Sequence, residues 1–314
     1  MSTGPGSTTR MIGAFIRAGI ATAPHLIHPR AADQVFLTNL EDAGMAPTRS
    51  TVRLMPLIQA QQNGPTALIA EGIRHPKQVR MSMTTFVVEH REARFLIDPS
   101  MCADVHDSVL TELAQPYRMT VAPERPVIGL AQSLEDECGL APERIDFVIP
   151  THLHWDHIAG LYELPQQTPV LVQEAERAFA LAGKQVPYGV ARGPLRNRKF
   201  EPYELDGPPC LTFARSRDVF GDGSVIVVDL QGHTPGSVGL LLNTEDHGRV
   251  LIAGDAVWHS IQIDELRQKA PLLGDLVDAD REETFKTIHR LSAATSTVPV
   301  IPVHDHGVVS HYLT

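Results

Sequence analysis

From residue 79 onward, short apolar runs rich in β-branched residues recur between polar breaks, at 79–90, 95–98, 147–151, 170–173, 225–230, 238–242, 250–253 and 298–303. Runs of this kind predict strands, many of them covered on both faces. Helical patterns alternate with them at 126–138, stopped by Gly139, at 173–181, and at 280–293, which opens on Asp280. A β-rich core flanked by helices, and hence an α/β fold, follows. Upstream, residues 1–10 are Ser/Thr/Gly-rich and read as a disordered start, while 11–42 read as an amphipathic helical extension with polar breaks. The division expected is an N-terminal extension over 1–50 and one α/β domain over 51–314. Residues 183–209 form the one long irregular stretch inside the folded part and carry Arg192, Arg196, Arg198 and Lys199. They read as a solvated basic loop, with a substrate-orienting cover as the alternative.

The 314 residues, 43% of them hydrophobic and 20% charged, suit a globular chain with a sizeable core. Net charge changes the list of partners. Lys and Arg number 27 against 37 Asp and Glu, and the resulting −10 opposes attraction to nucleic acid or anionic lipid. Neither nucleic acid nor a membrane is an expected partner, and no stretch reaches the ~20 apolar residues of a membrane span. Arg17 interrupts the apolar run after Arg10, and Pro24 follows it, so this segment does not read as a signal peptide. Three widely spaced cysteines, Cys102, Cys138 and Cys210, imply no disulfide framework and suit a cytoplasmic location. Histidine is the unusual count, at 15.

Four of the metal-ligating side chains gather directly behind the predicted strand at 147–151, in Thr151-His152-Leu153-His154-Trp155-Asp156-His157. In an extended segment His152 and His154 project to one side and can reach one ion, while Asp156 and His157 supply further donors once the chain turns. Packing gives no reason to bury three imidazoles and a carboxylate together without a cation. Further candidates follow later strands, His233 behind 225–230, Asp255 behind 250–253 and His304 behind 298–303. Trp155 and Trp258 flank these positions and read as walls of an apolar acyl pocket or as core. His259 and His306 sit beside these positions and are candidates for partners of the ligands or for proton transfer, with an ordinary structural histidine as the alternative.

Taken together, Thr151–His157, Gly232-His233, Gly254-Asp255 and His304-Asp305 resemble the metallo-β-lactamase-fold hydrolases. The resemblance implies an αββα sandwich of two mixed β-sheets with flanking helices, and a dinuclear metal site along one sheet edge. It places His152, His154 and His233 on one ion, Asp156, His157 and His304 on the other, and Asp255 across both. Two divalent cations are implied, zinc as the default and Fe, Mn or Co as alternatives. Asp255, a carboxylate where antibiotic-hydrolysing members carry a different ligand, separates this chain from true β-lactamases. The branch it resembles is the N-acyl homoserine lactone lactonases and YtnP-like relatives, through Gly254-Asp-Ala-Val-Trp258, Ala270-Pro-Leu-Leu-Gly274 and Val303-His-Asp305. That branch implies a small-molecule lactone or carboxylic ester, opened by a metal-bridging hydroxide with Asp156 and Asp255 in catalytic roles, and a homodimer as a possible assembly. Two departures stand out: Trp258 replaces a common tyrosine, and Asp98-Pro99-Ser100 lacks the usual glycine. Phosphoester hydrolysis by the same fold and a non-hydrolytic metal-binding module are the rival readings.

Overall fold

The computed structural model describes residues 5–313. Eleven strands among them form two mixed sheets. The first has six strands in the order β1 (Arg53–Pro65), β2 (Gln78–His90), β3 (Ala93–Ile97), β4 (Phe147–Ile149), β5 (Val170–Gln173) and β6 (Phe200–Tyr203). β1, β2 and β3 pair antiparallel, and β3 through β6 run parallel. The second sheet orders β11 (Val300–Ile301), β10 (Gly248–Ile252), β9 (Val238–Thr244), β8 (Val225–Asp229) and β7 (Ser216–Asp218), parallel only between β10 and β11.

Strand alternation shows how the layers stack. Phe86, Val88, Phe95 and Ile97 of the first sheet share one core with Leu240, Leu242, Val250 and Ile252 of the second. The residues between them point outward. Val87, Leu96 and Val148 pack with Leu130 and Leu134 of the Leu130–Cys138 helix. Leu241 and Leu251 pack with Phe285, Ile288 and Leu291 of the Arg281–Ala294 helix. These strands therefore read as unbroken apolar runs because both their faces are covered, and the architecture is helix, sheet, sheet, helix.

Differences from expectation have identifiable causes. β1 carries no strand signal in Gln-Ala-Gln-Gln-Asn-Gly-Pro, yet it pairs along the whole of β2, with a register shift between Ile58 and Ala60. Gln59 at that bulge is buried, donating to Met101 O and accepting from the Thr85 hydroxyl at 2.7 Å. The helix expected from 126 begins at Leu130, because Ile128 N donates to Gln59 O of β1 at 2.8 Å and holds the preceding chain extended. The N-terminal helix spans Pro5–Ile27, so it starts inside the segment whose composition suggests disorder. Residues 1–4 of that segment lie outside the described residues. The irregular 183–209 stretch holds β6, and two of its arginines serve the scaffold: Arg192 donates to Ala180, Ala182 and Gly183 carbonyls at the end of the Glu174–Leu181 helix, and Arg198 to Leu161, Leu164 and Pro165 carbonyls.

Candidate metal centre

All the candidate ligands sit where strands end on one edge of the two sheets. Asp98 follows the end of β3 with a φ of 51°, and its carboxylate meets the loop that leaves β4. There Asp98 Oδ1 accepts from Thr151 N at 2.6 Å, and Oδ2 accepts from the Thr151 hydroxyl at 2.9 Å. This fixes the chain leaving β4. His152 and His154 follow in extended backbone, and the turn Trp155–Ile158 then brings Asp156 and His157 round to the same side. Trp155 N donates to Gly189 O at 2.8 Å. A Cβ on Gly189, whose φ is 83°, would stand 2.7 Å from the His154 ring, so glycine is required for the loop to approach. His233 lies beyond β8, Asp255 in the 3₁₀ turn Gly254–Ala256 beyond β10, and His304 beyond β11.

Two nests of donors result. His233 Nε2 lies 3.2 Å from His152 Nε2 and 2.9 Å from His154 Nδ1. Nitrogens bound at ~2.0–2.1 Å to one tetrahedral ion stand roughly 3.3 Å apart. On the other side His157 Nε2 and His304 Nε2 approach Asp156 at 3.9 and 3.6 Å. Asp255 faces both nests. Its Oδ2 is 3.5 Å from His233 Nε2 and 3.9 Å from His152 Nε2, and its Oδ1 is 3.2 Å from His157 Nε2 and 3.0 Å from His304 Nε2. Asp156 is partly exposed and the other six are buried.

Burial without a cation leaves this cluster unsatisfied. His157 Nε2 and Asp255 Oδ1 have no hydrogen-bond partner although both atoms are buried, which is rare in a folded protein. Burial, reinforced by the neighbouring imidazoles, holds His152 and His154 well below the usual histidine range, in the neutral form that binds metal. Burial opposes charge on His157 and His304 as well, but Asp255 outweighs it and pushes both up. Burial raises Asp156, whereas His304 and His157 overcome it at Asp255 and hold that carboxyl well below its ordinary value. The donor set, its spacing and its orphaned atoms fit two divalent ions, the groupings being His152/His154/His233 and Asp156/His157/His304, with His152/His157/Asp255 across them.

The far sides of three of the imidazoles are anchored too. Asp98 Oδ2 takes the His157 Nδ1 hydrogen bond at 2.9 Å, Asp278 Oδ1 that of His233 Nδ1 at 2.9 Å, and the Ser82 carbonyl that of His304 Nδ1 at 2.7 Å. Such partners set which ring nitrogen is free to ligate. Asp278 is itself held by the buried Lys269, whose Nζ donates to it at 3.0 Å and to Asp255 O at 3.0 Å. Glu176 ties the two histidine loops together, accepting from Leu153 N at 2.8 Å and from the Thr234 hydroxyl at 2.5 Å.

A model of the metallo-beta-lactamase superfamily matches residues 80–295, more than half of the chain and six of the seven clustered residues. The chain belongs to the metallo-β-lactamase superfamily. Within it, this member is 27% identical over 190 residues to the N-acyl homoserine lactonase AttM of Rhizobium radiobacter, a match covering 57% of this chain and 66% of that one. An N-acyl homoserine lactonase of a Bacillus species is 27% identical over 174 residues, covering 54% of this chain and 59% of that one. Among solved structures, an N-acyl homoserine lactone hydrolase with N-hexanoyl-L-homoserine at its catalytic metal centre superposes with a TM-score of 0.63 at 18% identity, over 83% of this chain and 95% of that one. The dizinc quorum-quenching lactonase AidC superposes at 0.56 and 12% identity, over 84% of this chain and 92% of that one.

This superfamily member's cluster opens into a pocket whose apolar wall includes Met81, Met83, Tyr117, Val121 and Val277. Trp155 and Trp258 both line it. Trp155 is also fully buried in the core behind. Trp258 does something the sequence does not show: its indole N–H donates to Asp255 Oδ2 at 2.7 Å. His259 is occupied elsewhere, accepting from Ile261 N at the start of the Ser260–Asp264 helix. His306 turns away, with Nδ1 3.3 Å from the Ser310 hydroxyl. The choice between His304 and His306 follows from this: His304→Ala should lose about one of two bound ions, and His306→Ala should keep both with kcat within about twofold. Metal analysis of the two variants checks it, and the reverse pattern would refute the assignment.

Proposed function

We propose that this protein is a dinuclear metallohydrolase that opens a lactone or cleaves a carboxylic ester. The observation that carries the reading is Asp255, which turns one carboxylate oxygen toward each of two buried histidine nests. His152, His154 and His233 would hold one ion, Asp156, His157 and His304 the other, and Asp255 would span them. When bound, such a pair supplies Lewis acidity at a carbonyl and a water acidic enough to be nucleophilic near neutral pH, zinc being the default identity.

The chain's own residues do the rest. Asp156, the one cluster member with appreciable exposure, lines the pocket and would orient the attacking water. Met81, Met83 and Tyr117 offer an apolar surface that receives the acyl part and keeps bulk water from the reacting carbon. The lactone or ester preference is supported by the names of the relatives above. A cytoplasmic location is supported by three unpaired cysteines. No described helix is long and apolar enough to cross a membrane.

Metal content and hydrolysis of lactones, aryl esters and phosphotriesters should be measured on one preparation. Two ions with turnover of lactones or esters is the expected result, and turnover of phosphotriesters alone would refute the substrate class.

Trp258 affords a separate prediction. Because its N–H is committed to Asp255, it is a partner of that carboxylate rather than a free donor to substrate. Trp258→Phe keeps the apolar wall and removes the hydrogen bond, so metal affinity should weaken by about 10–100-fold, as is typical when a ligand loses its partner. Titration against a competing chelator measures this, and unchanged affinity would show the bond to be idle.

A further inference from the structure

We propose that the outer face of the Pro5–Ile27 helix is where two copies of this chain pair, antiparallel, about a twofold axis. Ile12, Ile16, Ile20 and Ile27 stand 46%, 57%, 73% and 65% exposed on this one helix. Its inner face is already used. Met11 and Ala18 are buried, and the Thr22 hydroxyl accepts from Leu272 N of the Pro271–Val277 helix at 2.8 Å. A helix apolar on both faces is normally covered on both.

The spacing of the stripe is self-complementary, which identifies a second copy as the occupant. In an antiparallel pair centred between Gly19 and Ile20, Ile12 meets Ile27, Ile16 meets Ala23, and Ile20 meets Gly19. A Cβ placed on Gly19 has nothing within 4 Å, so an incoming isoleucine finds open space there. Large side chains thus oppose small ones through the central turns, as close helix packing requires. Pro24 lies in the last turn, so the two central pairs fall in the uninterrupted part of the helix.

Area and charge agree with this occupant. Covering the stripe on both copies removes on the order of 1,000 Å² from water, the lower limit for a specific interface. Residues 1–32 contain no acidic side chain although the chain carries −10, so this helix itself adds none of the negative charge that would oppose pairing. A lipid surface fits less well. An interfacial helix needs a strongly charged outer face, and Arg10 and Arg17 are the only Lys or Arg residues from 5 to 27.

The test is sedimentation of the full chain at micromolar concentration, together with single-cysteine variants under mild oxidation. Wild type should be a dimer, and Ile20→Glu should be a monomer with unchanged far-UV circular dichroism. Ile20→Cys should form a disulfide-linked dimer above the wild-type background. Ile12→Cys should not, because its symmetry mate lies about 20 Å away along the helix pair. The proposal is overturned by a monomeric wild type, including one that instead binds anionic phospholipid vesicles. A dimer that persists in Ile20→Glu, or cross-linking at both cysteine positions, overturns it equally.

Discussion

Asp255→Ala should reduce bound metal from two ions toward one and lower kcat/KM for the best ester or lactone by at least about a thousandfold. Both effects come from one side chain, since its two oxygens serve different nests. Removing it leaves His157 and His304 without the carboxylate that outweighs their burial. The first nest keeps His152, His154 and His233, so it should still hold an ion, the minimum for a three-ligand site. Loss of electrostatic stabilisation at a developing oxyanion alone costs about 10²–10³ in rate, and loss of one ion removes more than a single hydrogen-bond donor does. Metal analysis and steady-state kinetics on the variant decide the matter. Two ions with near-normal turnover would mean that Asp255 is not shared.

Lys269→Met should destabilise the fold by about 3–5 kcal/mol, the cost of leaving a buried charge without its partner. Lys269 is fully buried, and its ammonium reaches Asp278, Asp255 O and the face of Trp258, whose ring centroid is 5.0 Å away. In the wild type burial opposes ionisation of Asp278, but Lys269 and then His233 outweigh it and keep the carboxyl below its usual range. Its contribution is therefore present above the ordinary carboxylate range and fades as pH falls through the lowered value. Without Lys269, burial raises the Asp278 carboxyl, so ionising it costs stability above the unfolded value. The deficit of the variant should accordingly be larger at pH 8 than at pH 5. Denaturant unfolding at both values checks the sign, and a deficit below about 1 kcal/mol at both would contradict the role assigned to the pair.

How much of this could be read beforehand depended on whether a signal was local. The seven clustered residues announce themselves because four sit within six positions and the rest follow strand ends, where the chemistry of such folds concentrates. The strands of the sandwich core were legible for the same reason, as apolar runs set by burial on both faces. β1 was not, because its polar half is stabilised by pairing with β2 and by Gln59 in the bulge, neither of which leaves a period in the sequence. Asp278, Lys269, Ser82 and Glu176 were equally silent. Each is an isolated residue far along the chain from the histidine or loop it braces, and only folding brings them together. Asp98 stands at an unusual corner of the sequence, but its hold on Thr151 and His157 is a tertiary fact.

The most direct test of the central claim is anomalous diffraction from crystals of the zinc-loaded protein, collected on both sides of the metal edge. Two peaks per chain are expected, one among His152, His154 and His233, the other among Asp156, His157 and His304, with Asp255 touching both. A single peak at full occupancy, or two peaks of which Asp255 touches only one, would contradict it.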